Sequence, residues 1–279
     1  MSEERILVNI EDGVAEIRLN RPEKRNALDG EQARAVVMAG ISLQERSDIR
    51  AMVLSGEGES FCAGLDFSRF SQMQDRSPGS RQGASRQDPL KVRELPSPGQ
   101  MVGMVWKQIP VPVIAAVHGA AYGGGLQLAL GADIRLAHPN SQLSVREIHW
   151  GLVPDMSLTQ TLRDLVRMDV AKELMYSGRV VEAEEALQLG LVTRICQDPR
   201  AEALAMARLI ANRSPEAVRA AKHLVENSWH ADADTGLRLE LDMQRTVMGK
   251  DNMKEAIRAN FEKRPPRFAD VPDGYQPVP

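Results

Sequence analysis

Two carboxylates stand eight positions apart in the segment Arg146-Glu147-Ile148-His149-Trp150-Gly151-Leu152-Val153-Pro154-Asp155. A bend around Gly151 and Pro154 would turn Glu147 and Asp155 toward one cavity. Buried carboxyl groups with raised pKa suit proton transfer at neutral pH. The same residues also admit a structural reading. Glu147 would then pair with Arg146 or Arg135, and Asp155 would cap a helix starting near Ser157.

Two glycine-bearing segments could supply the rest of a reaction site. They are Ser60-Phe61-Cys62-Ala63-Gly64-Leu65-Asp66 and His118-Gly119-Ala120-Ala121-Tyr122-Gly123-Gly124-Gly125-Leu126-Gln127-Leu128-Ala129. Each places glycine where the chain meets an expected helix start. A helix N-terminus exposes unsatisfied N–H groups and partial positive charge. Glycine removes the side chain that would hold a ligand away. Two such donors from separate loops could converge on one oxygen as an oxyanion hole. Taken singly, each segment suits tight packing more often than catalysis, and the second could cradle phosphate. It matches neither G-x-G-x-x-G nor the P-loop. The absence of G-x-S-x-G and H-E-x-x-H weighs against a serine hydrolase or a zincin.

The elements that must position these residues follow from local pattern. Strands over Arg5–Ile10 and Val14–Leu19 flank the turn Glu11-Asp12-Gly13 as a hairpin. Asp29 is an N-cap for a helix over 30–45. Ile49–Leu54 and Val113–Val117 are buried-strand candidates, the second entered through Pro110 and Pro112. A helix over 100–108 precedes that strand, and an apolar helix Leu126–Leu130 follows the glycines. Strands are expected at Ile134–Ala137, Gln142–Val145 and Leu191–Ile195. Helices are expected at Ser157–Val166, Asp169–Ser177 and Glu182–Leu189, then over 200–227, 232–248 and 252–263. Ser71–Gly99 is polar, rich in Ser, Gln, Arg, Gly and Pro, and reads as a mobile loop. Mixed strands and helices followed by helices indicate an α/β core over 1–199 with an α-helical region over 200–279.

Composition sets the bounds. A chain of 279 residues, 43% hydrophobic, can bury a substantial core. A net charge of -3 offers no basic field for nucleic acid. Cys62 and Cys196 have no metal-ligand spacing and read as reduced thiols. The least interrupted apolar stretch, Val113–Ala132, is broken by His118, five glycines and Gln127, so no membrane span is expected. The polar residues Met1–Glu4 carry no apolar signal core. A cytoplasmic enzyme or binding protein fits these bounds.

Together the motifs resemble the enoyl-CoA hydratase/isomerase (crotonase) superfamily, in order and spacing. Asn20-Arg21-Pro22-Glu23-Lys24-Arg25-Asn26-Ala27-Leu28, Ser177-Gly178-Arg179 and Phe261-Glu262-Lys263-Arg264-Pro265-Pro266 are similar to that family too. The resemblance implies a crotonase-like spiral of ββα units with a helical C-terminal region that serves oligomerisation and active-site cover. It implies homotrimers or hexamers built as dimers of trimers. It implies an acyl-CoA substrate, with coenzyme A as part of that substrate and no separate cofactor or metal. It places the Leu65 and Gly124 N–H groups on the thioester oxygen. Lys24, Ala27, Ala63, Leu65, Asp66 and Gly123 would contact substrate, joined by Gln127, His149 and Trp150 around the acyl end.

Hydratases of this family use two glutamates to place and activate water. The second maps to Glu147, but the first maps to Gln127, whose amide is no base. Dienoyl-CoA isomerases resemble the chain at Glu147 and Asp155, although they usually carry an aspartate where Gln127 stands. The reading is therefore an enzyme acting on an unsaturated acyl-CoA through a stabilised enolate, with isomerisation favoured over hydration. The alternatives are a non-catalytic acyl-CoA-binding protein, or another enolate reaction such as decarboxylation or thioester hydrolysis.

Overall fold

A computed structural model describes residues 4–68 and 96–277 of the chain. Most of the expected 71–99 loop lies outside the described residues. The hairpin forms as β1 (Ile6–Glu11) and β2 (Val14–Leu19), antiparallel, with Ile6 opposite Leu19. Helix α1 (Gly30–Gln44) returns the chain to β3 (Ala51–Gly56), parallel to β2. The Asp29 carboxylate caps α1 by accepting the Gln32 N–H at 2.7 Å. Helix α2 (Met101–Gln108) leads to β4 (Val113–Val117).

Each further turn puts one strand in each of two sheets. β4 is followed by a short strand β5 (Ala120–Tyr122) and helix α3 (Gly124–Leu130). β6 (Ile134–Ala137) is followed by β7 (Gln142–Ser144) and a 3-10 turn over Arg146–Trp150. Helices α4 (Leu158–Leu162) and α5 (Met168–Ser177) lead to β8 (Val181–Glu182), α6 (Ala183–Leu189) and β9 (Arg194–Ile195). The larger sheet has the order β1-β2-β3-β4-β6-β9 and the smaller β5-β7-β8.

The central strands are buried on both faces, which is why β3 and β4 read as continuous apolar runs. Alternate side chains serve opposite layers. Met52 and Leu54 join Val36, Leu43, Val105 and Trp106, from α1 and α2, in one core. Ala51, Val53, Ile114 and Ala116 face Ala203, Ala207 and Ala211 of helix α7 (Pro199–Ala211) in the other. Small side chains on α7 let it lie close to the sheet.

The expected helix over 200–227 is two helices. Ser214 caps α8 (Pro215–Ser228) with Pro215 in its first turn, where the missing proline N–H costs nothing. Helices α9 (Ala233–Val247) and α10 (Asp251–Phe261) follow. Other expectations were too long. The helix over 157–166 keeps only α4, and the strand over 191–195 only β9. The glycine-rich segment contains a strand, β5, because Ala120–Tyr122 pairs in parallel with β7.

Candidate active site

Loop 21–28 is the first wall of the site, and Asn26 builds it. Arg25 and Asn26 both adopt left-handed backbone, at φ 48° and 56°. Asparagine tolerates that region better than most residues. The fully buried Asn26 side chain accepts the Arg21 N–H and donates to the Glu57 and Ser60 carbonyls, each at 2.9 Å. It thereby ties this loop to the one carrying Cys62–Asp66. Sequence reasoning quoted Asn26 within a motif but gave it no role. Its signal was an asparagine between two segments that both had to bend. Asn26→Ala strands three polar backbone groups, so a loss of about 2–4 kcal/mol is expected in urea unfolding. Unchanged stability would show that the loops are held elsewhere.

The second loop is stitched to the third. Cys62 N donates to Ala120 O and Tyr122 N to Cys62 O, both at 3.0 Å. Gly64 sits at φ 90°, and a Cβ there would lie 2.5 Å from the Tyr122 carbonyl oxygen and 3.7 Å from Gly124 N. Only glycine permits so close an approach. Leu28 N donates to Gly64 O and Asp66 N to Leu28 O, which leaves the Leu65 N–H directed away from that ladder. Neither Leu65 N–H nor Gly124 N–H, the latter opening α3, meets an acceptor among the described residues.

Both residues line a cavity of about 1010 Å³. Ala63, Gly64, Gly123 and Tyr122 share its wall, as do Lys24, Ala27 and Asp66. Asp66 is committed to the scaffold: its carboxylate accepts the Ser68 N–H at 2.9 Å and meets Arg21 at 2.6 Å. The Ser68 contacts above all, with Arg21 adding, hold it down to about 2. The Cys62 thiol, also on this loop, is pushed up to about 12 by burial and is inert as a nucleophile.

The acids come from the 3-10 turn and the segment after it, and both line the cavity. Glu147 Oε1 accepts the Gln127 amide N–H at 2.7 Å, while its Oε2 is buried with no hydrogen-bond partner among the described residues. Burial, the dominant cause, raises the Glu147 pKa above the ordinary glutamate value, and the Asp155 charge adds to it. Gly123, at φ 50°, makes room for this carboxyl: a Cβ there would be 3.1 Å from Glu147 Oε1. The structural readings of both acids fail. Arg135 is buried and donates to the Leu191 and Ala132 carbonyls, and Arg146 lies 5.0 Å over the Tyr122 ring. Asp155 caps nothing: α4 starts after Ser157 without a side-chain cap. The Asp155 carboxylate makes no hydrogen bond or ion pair among the described residues.

Trp150 and Phe67 also line the cavity, their rings edge to face at 5.6 Å. Two residues expected at substrate do not line it. Gln127 is 1% exposed and stands behind Glu147. His149 turns away, its Nε2 3.1 Å from Gly178 O. Leu126 and Leu128 bury α3 on all sides, which draws Gln127 into the interior with them. His149 follows the 3-10 turn round to the α5 side. His118 is structural, with Nε2 on Gly58 O at 3.0 Å. Among the described residues no cluster of His, Cys, Asp and Glu could hold a metal, and no helix is long and apolar enough to cross a membrane.

Two unpaired N–H groups and two carboxyl groups on one cavity define a site that can hold an anionic oxygen and move protons beside it. The scaffold, a spiral of strand, short strand and helix with a helical carboxy-terminal region, is the crotonase fold. The chain belongs to the enoyl-CoA hydratase/isomerase family, whose model matches residues 9–271. It is 31% identical to the short-chain-enoyl-CoA hydratase of Clostridium acetobutylicum, over 93% of this chain and 95% of that one. It is 32% identical to the mitochondrial Delta(3,5)-Delta(2,4)-dienoyl-CoA isomerase of Mus musculus, over 90% of this chain and 77% of that one. The crystal structure of an enoyl-CoA hydratase from Bacillus anthracis superposes with a TM-score of 0.80 at 31% identity, covering 95% of this chain and 98% of that one. The resemblance read from the motifs is therefore the chain's family, and the protein is an enzyme of it acting on acyl-CoA.

Proposed function

We propose that this enzyme moves a double bond in an unsaturated acyl-CoA thioester through an enolate. One observation carries the preference for isomerisation over hydration. Two carboxyl groups face one cavity, a buried Glu147 oxygen and Asp155 both without a partner among the described residues, while the place of a hydratase's other glutamate holds a glutamine outside that cavity.

The thioester oxygen accepts hydrogen bonds from Leu65 and Gly124 N–H. A carboxylate then takes a proton from the carbon next to the thioester. The bonding pair moves into the new C=C bond, and negative charge collects on the oxygen between the two donors. The pair shifts along the conjugated system as an acid returns one proton to a distal carbon. One proton leaves and one returns, so the product is an isomer. Glu147 is the main acid/base, with Asp155 serving the second position. Lys24, Arg25 and Arg34 line the cavity, pair with no carboxylate among the described residues, and suit the phosphates of coenzyme A. The same reading assembles the chain as a homotrimer or a dimer of trimers in the cytoplasm. Leu237, Leu241, Ile257 and Phe261, all exposed on α9 and α10, supply apolar surface for it.

Incubation with 3,5-dienoyl-CoA, 3-enoyl-CoA and 2-enoyl-CoA in deuterated water tests the reaction. The expected result is double-bond migration, with deuterium at the carbons that gain a proton, read by NMR and mass. Water addition to the 2-enoyl ester without migration would make the enzyme a hydratase.

A further inference from the structure

We infer that Gln127 is a positioning residue: its single buried amide fixes Glu147 and the Asp155 segment relative to one another. The inference rests on the reading of Glu147 and Asp155 as the proton-transfer pair. Gln127 Oε1 accepts Met156 N–H at 2.8 Å and Leu158 N–H at 3.2 Å, one and three residues after Asp155. Two backbone donors can be met only by the amide oxygen, so the amide is not free to flip. Its NH2 is therefore turned toward Glu147, and donates to Oε1 at 2.7 Å. The amide is 1% exposed and sits on α3, whose first turn also carries Gly124. One side chain thus links the helix of the anion-holding N–H group to both acids.

The chemistry explains why an amide suits this position. A glutamate could accept the Met156 and Leu158 N–H groups, but when ionised it could donate nothing to Glu147. Two carboxylates at that distance cannot both stay ionised. A leucine or methionine would strand both backbone donors and the Glu147 oxygen. The glutamine occupies Oε1, so Oε2 is the oxygen left to carry the transferred proton.

Besides Gln127, the backbone at Glu147 and at Arg146 favours the ionised form of this carboxyl. Asp155 faces it as a like charge. On its own turn, Arg146 is drawn over the Tyr122 ring and His149 onto the Gly178 carbonyl. From the β5–α3 junction come Gly123 and Gln127, neither of which titrates.

Titration of the Glu147 carboxyl by 13C NMR, assigned against Glu147→Gln, tests the inference in the whole enzyme. Gln127→Met removes the side-chain donor among the groups that favour the ionised carboxylate, so the midpoint should move upward. An unmoved midpoint overturns the inference whatever reaction the enzyme performs. In turnover, Gln127→Met should lose up to about 100-fold in kcat with KM little changed. Gln127→Glu is nearly isosteric and decides the matter if the methionine variant does not fold. Its acid pair holds one shared proton at low pH, when a protonated Glu side chain can still donate. Its activity should therefore survive at low pH and fall as that proton is lost, an alkaline limb absent from the wild type. A wild-type pH profile in Gln127→Glu overturns the inference. If the wild type itself moves no proton on any ester, the functional reading fails, and the NMR midpoints still decide the role of Gln127.

Discussion

Replacing Glu147 by glutamine is expected to lower kcat for double-bond migration by about 10²- to 10⁴-fold, the usual share of a positioned acid/base. The new amide is close to isosteric and can still accept from Gln127, so binding of a saturated acyl-CoA should stay within a few-fold. A loss confined to affinity, with kcat intact, would remove Glu147 from the chemistry. Asp155→Asn should act more gently on the same step. It removes a like charge facing Glu147, and so should bring the Glu147 titration down toward its ordinary range.

The same carboxyl makes the enzyme's pH behaviour readable. Burial raises the Glu147 pKa in the folded state, whereas the unfolded chain keeps the ordinary value. The folded protein therefore holds this proton more tightly. The resulting stability is fully present below the unfolded pKa and is lost as pH rises through the folded one. Glu147→Gln has no such loss, so its thermal midpoint should gain on the wild type as pH rises through that window. Activity should run the other way in the wild type. It should climb with pH over the same range as the base form of Glu147 becomes populated. A stability difference that does not vary with pH would mean that the carboxyl is not buried as described.

Much of this arrangement was legible in the chain, for reasons that differ by residue. Strands β3 and β4 announced themselves because both faces are covered, which leaves no polar alternation to confuse them. Asp29 announced α1 because a carboxylate before a helix start has a local partner to find. The break at Ser214-Pro215 is equally local: a proline interrupts a helix interior but fits a first turn, and Ser214 is there to cap it. The cavity was legible only in outline. Glu147 and Asp155 carry charge, and charge near glycine turns draws attention. The direction of Gln127 could not be read, because it depends on Met156 and Leu158 arriving from another segment. His149 lies two residues from Glu147 but serves the other face of its 3-10 turn, which sequence distance conceals. Tertiary closure settles such cases, and side-chain type alone does not.

Gly64→Ala should be nearly as damaging as the loss of Glu147, although it adds one methyl group and removes no functional atom. The backbone there sits at φ 90°, which an alanine rarely adopts, and its Cβ would lie 2.5 Å from the Tyr122 carbonyl. Strain of this kind costs about 1–3 kcal/mol when the surroundings hold it in place. The surroundings cannot simply yield. The Cys62–Ala121 bridge clamps the two loops on one side, and the Leu28 N–H holds the Gly64 carbonyl on the other at 2.7 Å. The least costly relief is to swing Tyr122–Gly124 away from Leu65, which separates the two N–H groups proposed to share the thioester oxygen. Misplacing one such donor costs about 10²- to 10³-fold in kcat. Steady-state kinetics beside urea unfolding separates the two consequences. A variant that loses stability but keeps kcat would show that Leu65 and Gly124 do not act as a pair. Gly236→Ala on α9 is the control: its Cβ would meet only Ser228 at an ordinary 3.8 Å, and the residue does not line the cavity. Alanine in a helix interior should raise stability there by up to about 1 kcal/mol and leave turnover unchanged. A methyl group would then be harmful on the loop and harmless on the helix. That contrast assigns the Gly64 effect to the contact between the two loops, and not to a general intolerance of added bulk.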